Sequence, residues 1–340
     1  MTLYCGIDLH STNNFVSVLN ENDIPLFEKR LPNDLVRVML ALAPYQNDIQ
    51  GVVVESTYNW YWLVDGLIDA GFNVHLANTI AMRQYDGIKY TDDLSDARYL
   101  AHLLRLGILP EGYIYPKEQR AIRDLLRKRM SLVQQRVTQH LALQSHIARH
   151  TGLRLSSLKI KQLNSGRLQE LLSEPNVYLA AEANLSVMQS LNETIEQIEQ
   201  AVLEQCRTRL PFKYLNSIPG VGRILGMTIM LETGTISRFP DAGHFASYCR
   251  CVKSEKLSNG KKKGSGNRKN GNKYLSWAFL EAAVKAARFD PKIKAYYQRK
   301  MAKSHRFVAL KAVANKLARA SYYMLRDQVA FDVNRSFGKS

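Results

Sequence analysis

Two short apolar runs, IQGVVVES (49–56) and FNVHLAN (72–78), flank a helix-length segment from about Tyr58 to Ala70 that Gly71 ends. An apolar run of this length, bounded by turn residues, reads as a central strand buried on both faces of a parallel sheet. Upstream, residues 3–31 read as two or three strands: LYCGIDLH starts a buried one, NNFVSVLN alternates, NEND turns, and IPLFEKRL returns. Residues 34–47 have helical spacing, and Asp92 or Asp93 can open a further helix that runs to about Leu106. The succession predicts an α/β domain with a mixed sheet over residues 1–116.

Residues 117–208 have another texture. Gly and Pro are nearly absent, apolar residues recur every three or four positions, and NLSVMQSLNETIEQIEQAVLEQ resembles a coiled-coil arm. The first helix of this region is basic (Lys117, Arg120, Arg123, Arg127, Lys128, Arg129, Arg136) and the second acidic. From 209 to 340 a mainly α region is expected. In it, Pro219-Gly220-Val221-Gly222 before an apolar helix is the helix-hairpin-helix pattern, whose turn aims N–H groups at a phosphate. A plain turn before a core helix reads the same way.

The formal net charge is +17 over 340 residues, which points to a polyanionic partner, most simply nucleic acid. No apolar run has membrane-spanning length, and MTLYCGIDLH lacks a signal-peptide pattern, so a cytoplasmic location and no membrane partner are expected. Cys5, Cys206, Cys249 and Cys251 are too few and scattered for a disulfide framework and are expected as reduced thiols, the last two in a core strand or helix. Basic residues concentrate in KSEKLSNGKKKGSGNRKNGNK (253–273), expected to be a flexible loop that grips a nucleic-acid backbone through Lys256, Lys261, Lys262, Lys263, Arg268, Lys269 and Lys273. In the last helix, Lys311, Lys316 and Arg319 either touch phosphate or are solvated.

Against this excess of positive charge, acids stand where charge is costly. Asp8 interrupts an apolar strand, Glu55 ends another, and Asp92, Asp93 and Asp96 crowd one helix start, where like charges three or four apart repel. If Asp8, Glu55, Asp93 and Asp96 converge, they supply four hard oxygen donors suited to Mg2+, with Mn2+ possible, the equipment of phosphoryl transfer. No Walker-type loop and no histidine near the basic segment in sequence point to a nucleotide-driven or triad mechanism.

The acids in GIDLH, VVVES and TDDLSDARYLAHLLRLG resemble the DEDD signature of bacterial insertion-sequence transposases of the IS110 type, and SIPGVGRILGMTIMLETGTISRF, FASYCRCV and KNGNKYLSWAFLEAA resemble that family's C-terminal transposase domain. The resemblance runs through nearly the whole chain. It implies a RuvC-like (RNase H-type) domain at 1–116, a coiled-coil region at 117–208, and a domain at 209–340 that bears a serine nucleophile. It further implies a covalent phosphoserine link to DNA assisted by metal, selection of target and donor DNA by a structured guide (bridge) RNA, and a homo-oligomer, dimer to tetramer, in the synapse. Carried over by position, the metal ligands are Asp8, Glu55, Asp93 and Asp96. Asp92 is the rival of Asp93, which the Asp-x-x-Asp-Ala match favours. The serine thirteen positions after Phe245 is Ser258, with Ser254 and Ser265 as rivals. Asn259 departs from the family, where Gly is common. A metal-dependent nuclease or junction resolvase using water, and a non-catalytic nucleic-acid-binding protein, are the competing readings.

Overall fold

The computed structural model describes residues 1–82, 92–253, 256–264 and 270–338 and forms two units, Met1–Lys117 and Glu118–Ser340. The first contains β1 (Leu3–Leu9), β2 (Asn13–Asn20), β3 (Pro25–Pro32), α1 (Leu35–Leu42), β4 (Ile49–Glu55), α2 (Tyr61–Asp69), β5 (Val74–Ala77), α3 (Asp93–Arg105) and β6 (Glu111–Gly112). The six strands lie in the order β3-β2-β1-β4-β5-β6. β1–β4 and β4–β5 are parallel while β1–β2, β2–β3 and β5–β6 are antiparallel, so the mixed sheet expected from the sequence is present.

Period-two alternation decides what each face meets. Cys5, Ile7 and Leu9 of β1 and Val52 and Val54 of β4 pack with Val38 and Leu42 of α1 and with Leu63, Val64 and Leu67 of α2. On the opposite face, Val53 and Ala77 pack with Leu100 and Leu103 of α3. Gly6, in register with Val53, faces α3 as well: a Cβ there would lie 1.9 Å from the Ala97 carbonyl oxygen. The absent side chain therefore lets α3 lie on the sheet backbone to backbone.

Local signals explain the element ends. Asp34 caps α1 by accepting from the Val36 and Arg37 N–H groups. Gly71, at φ +89°, takes the left-handed conformation that ends α2. Ionic ties then hold α3 to the β2–β3 hairpin: Arg98 pairs with Glu28, and Arg105 donates to Asp23 at 2.7 and 2.5 Å.

The second unit contains α4 (Lys117–Thr151), α5 (Ser157–Lys161), α6 (Ser165–Leu171), α7 (Pro175–Cys206), α8 (Leu210–Asn216), α9 (Arg223–Thr233), α10 (Ala242–Tyr248), β7 (Lys256–Ser258), β8 (Lys261–Gly264), α11 (Lys273–Phe289), α12 (Pro291–Met301), α13 (Arg306–Asp327) and α14 (Val333–Phe337). The long helices α4 and α7 run antiparallel, tied by Arg129 to Glu199 at 2.6 Å, Arg136 to Asn192 at 2.8 Å, and His146 beside the Val177 carbonyl at 2.9 Å. α5 and α6 close one end through Ile160 and Leu168 against Leu143, Ile147 and Leu185. The C-terminal core surrounds α11, whose Ala278, Ala282, Ala283 and Ala286 are buried with Phe245, Ile229 and Val313. Cys249 and Cys251 are buried and free just beyond α10, outside the strand or helix expected for them, and burial pushes both thiols up, Cys251 to about 12. No helix among the described residues is long and apolar enough to cross a membrane.

Candidate active site

Parallel pairing places two acids at one end of the sheet. Ile7 is in register with Val54, so Asp8 and Glu55 follow side by side at the C-terminal ends of β1 and β4. Asp8 shares the α3-facing side with Gly6, and only 3% of its surface is exposed. Glu55 is half-buried and hydrogen-bonds the Asp8 carboxyl. Its burial, that hydrogen bond and the nearby charges of Asp8 and Asp96 push its pKa up to about 8. An unfavourable set of carboxylates has therefore been gathered where a cation would neutralise it.

The N-terminus of α3 supplies the rest. Asp92 and Asp93 part here: Asp92 is the N-cap, accepting the Ser95 N–H at 2.7 Å in a capping box, and these hydrogen bonds lower its pKa. Asp93 Oδ1 instead lies 3.7 Å from His10 Nε2, which is 2.9 Å from Asp8 Oδ2. Ligating atoms of Asp8, His10 and Asp93 all fall within 4.8 Å of one another. Asp96, one turn into α3, is near enough to raise Glu55.

His10 lies outside the set of oxygen donors that the charge pattern of the sequence singles out. Its signal was the spacing in Asp8-Leu9-His10, which returns the side chain to the face of Asp8. The donor set of buried carboxylate, half-buried carboxyl, helix-start aspartate and imidazole fits a divalent cation, which would offset the burial and the neighbouring carboxylates that raise the Glu55 pKa.

In the second unit the basic segment is not simply a flexible loop. β7 and β8 form an antiparallel hairpin, with Ser258 paired to Lys261 across Asn259-Gly260. Both turn residues have positive φ, +49° and +71°, the requirement of a type I′ turn that Asn-Gly meets at least cost. The Asn where the family commonly has Gly is thus a hairpin residue. Ser258 is exposed beside this turn, as are Lys261 and Lys263. Ser254, Ser265, Arg268 and Lys269 lie outside the described residues, as do the side chains of Lys256 and Lys262. Lys273 is exposed at the start of α11, with Nζ 5.1 Å from the Tyr274 ring centre.

The hairpin rises from a tied base. Arg250 donates from Nε to the Asn270 carbonyl and from Nη2 to the Gly271 carbonyl, each at 2.9 Å, and the Asn272 N–H donates to the Tyr248 carbonyl at 2.6 Å. Asn272 caps α11 and donates from Nδ2 to Glu232 at 2.7 Å. Glu232, 2% exposed, also takes both prongs of Arg127 at 2.5 and 2.7 Å.

Several cations of the basic helix α4 and of the last long helix α13 are committed within the fold. Arg120 and Arg123 are buried, and Arg127 serves Glu232. Lys316 donates to the Ser336 carbonyl at 2.9 Å. The two glycines of the PGVG turn also differ. A Cβ on Gly220, at φ +86°, would lie 2.5 Å from the Ala286 nitrogen, so packing on α11 accounts for that glycine. Gly222 has open space and, with Arg223 and Lys285, lines a cavity of about 430 Å3 at the start of α9.

Comparison with known proteins adds to this geometry. Residues 5–151 match the DEDD transposases of the IS110 type, a stretch containing all four acids, and residues 212–298, which contain Ser258, match the Transposase IS116/IS110/IS902 family. The chain is 29% identical over 120 residues to the "Insertion element IS110 uncharacterized 43.6 kDa protein" of Streptomyces coelicolor, covering 35% of this chain and 29% of that protein. It is 28% identical over 144 residues to the "Insertion element IS116 uncharacterized 44.8 kDa protein" of Streptomyces clavuligerus, covering 42% of this chain and 36% of that protein. The matched stretch thus spans about a third of the length of each relative.

Proposed function

Because the chain belongs to the IS110 family of insertion-element transposases, we propose that it is a DNA recombinase that cuts and rejoins strands through a phosphoserine intermediate. The observation that carries this reading is the meeting of Asp8, Glu55 and Asp93 at one end of the sheet, with Asp96 close to Glu55, in a chain of net charge +17. We read the first unit as the RuvC-like (RNase H-type) domain that the family resemblance implies, residues 117–208 as its coiled-coil region, and residues 209–340 as the serine-bearing domain with a helix-hairpin-helix.

In this reading the four acids hold a divalent cation, Mg2+ or Mn2+. A bound cation supplies Lewis-acid stabilisation of the charge that develops on the phosphate oxygens. Ser258 Oγ attacks phosphorus, an Oγ–P bond forms as a P–O bond to deoxyribose breaks, and the released oxygen takes up a proton while the serine gives one up. Attack by a deoxyribose hydroxyl of the recombining strand reverses the exchange and frees the serine. One phosphodiester is traded for another, so no ATP is needed. Lys261, Lys263 and Lys273 neutralise neighbouring phosphates, and Gly222 with its open helix start offers N–H groups to the backbone. Target and donor DNA are chosen by a guide RNA, and a homo-oligomer assembles the synapse.

A water-dependent nuclease is the second reading, favoured by one observation: the acidic cluster forms within the first unit alone. The test incubates the protein, with RNA co-purified from cells that carry its gene, with plasmid DNA bearing the element's ends and Mg2+ or Mn2+. Strand exchange that stops in EDTA and in Asp8→Asn is the expected outcome. Simple hydrolysis without joined products supports the nuclease, and activity that persists in EDTA rejects the metal role.

A further inference from the structure

His10 is not one of the four acids, yet it is braced as if its position mattered. Its N–H donates to the Asn13 carbonyl at 2.9 Å. Its carbonyl accepts from Asn33 Nδ2 at 3.0 Å and Asn59 Nδ2 at 3.1 Å, side chains that arrive from beyond β3 and β4. The imidazole stands edge-on to Phe15 of β2, ring centres 5.6 Å apart. Three separate segments and a ring thus fix a residue whose side chain is 40% exposed.

That bracing aims Nε2 between two carboxylates, 2.9 Å from Asp8 Oδ2 and 3.7 Å from Asp93 Oδ1. Two ligands held at about 2.1 Å from one octahedral ion and at right angles stand about 3.0 Å apart, and opposed ones about 4.2 Å. The observed separations fall in and near that range. Hydrogen bonding to Asp8 alone would account for 2.9 Å but would not require a second carboxylate to face the same nitrogen.

Resting on the metal-dependent reading above, we propose that His10 Nε2 is a ligand of the cation, making the centre a mixed nitrogen–oxygen site that takes Mn2+ in preference to Mg2+. Mg2+ dehydrates reluctantly and favours oxygen donors, whereas transition ions accept imidazole readily. A site of carboxylates alone gives Mn2+ no such advantage. His10 is therefore a determinant of which ion the centre holds.

The experiment uses the full-length protein with Mn2+ alone as the probe. Pulsed electron paramagnetic resonance is expected to show nitrogen coupling to Mn2+, and growth on 15N-histidine should convert the 14N pattern to that of 15N. His10→Ala should lose the coupling and weaken Mn2+ about tenfold while leaving Mg2+ affinity within about threefold. His10→Gln, which keeps a polar side chain, serves as a second variant, and both are checked for native circular dichroism. An oxygen-only Mn2+ spectrum in the unmodified protein, or an unchanged Mn2+/Mg2+ preference in both variants, overturns the proposal while leaving the carboxylate centre standing. Absence of any binding by either ion, or binding indifferent to Asp8→Asn, overturns the metal-dependent reading and this proposal with it.

Discussion

A methyl group placed on Gly6 would lie 1.9 Å from the Ala97 carbonyl oxygen, so β1 and α3 meet backbone to backbone two residues from Asp8. The same contact sets the distance between Asp8 on the strand and Asp93 and Asp96 on the helix. Gly6→Ala must push α3 away, and overpacking of this kind costs about 1–3 kcal/mol. The variant should melt several degrees below the parent and bind Mn2+ more weakly. An unchanged melting temperature and unchanged binding would mean that the close approach does not set the site.

Glu55 predicts a pH dependence with a definite sign. Its folded pKa, about 8, is above its ordinary value of 4.5. Its contribution to stability is therefore fully present below about pH 4.5 and is lost as pH rises through about 8, because only the unfolded chain can ionise it freely in between. In EDTA, the urea midpoint of the parent should fall across that window more steeply than that of Glu55→Gln. Divalent cations should restore most at the alkaline end. Parallel profiles for the two proteins would contradict the assignment.

Glu232 is the buried acid on which Arg127 and Asn272 converge. Glu232→Ala strands Arg127 and the Asn272 amide, a loss of about 3 kcal/mol or more. Replacing Arg127 and Glu232 together by Met should cost less than Glu232→Ala, since Arg127 is then not left facing a lost partner, while Arg123, 3.9 Å from Glu232, loses that contact in both variants. Chemical denaturation of the three variants measures both. A double variant as unstable as the single one would assign the effect to packing.

Arg250 ties the hairpin base through two carbonyls. Arg250→Ala removes both bonds and should speed trypsin cleavage at Lys261–Lys263 several-fold with the global melting point nearly unchanged. Equal cleavage rates would show that the hairpin does not need the clamp.

Much of the first unit was legible because its strands announce themselves locally. IQGVVVES and FNVHLAN are apolar runs with turn residues at their ends, and the first of them also pairs in parallel with β1, which fixes where Asp8 and Glu55 emerge. Charge inside an apolar strand was enough to single out both acids. The imidazole beside them was not read, because a search for hard oxygen donors passes over a histidine two residues away. The hairpin was hidden by composition: Lys, Gly and Asn suggested a loop, although Asn259-Gly260 was the local signal for a tight turn. Arg127 counts only as one cation of a basic helix in the sequence because its partner lies 105 residues away, beyond any local window. Lys316 and the Ser336 carbonyl, twenty residues apart, repeat the lesson.

The most direct test of the account is the chemical identity of the protein–DNA link. DNA bearing the element's ends is reacted with the full-length protein, digested by nuclease and protease, and the modified peptide sequenced by mass spectrometry. The account predicts a deoxynucleotide phosphate on Ser258 and no adduct from Ser258→Ala that still binds DNA. Cleaved DNA free of protein, or an adduct on Ser254, Ser265 or any other residue, would contradict it.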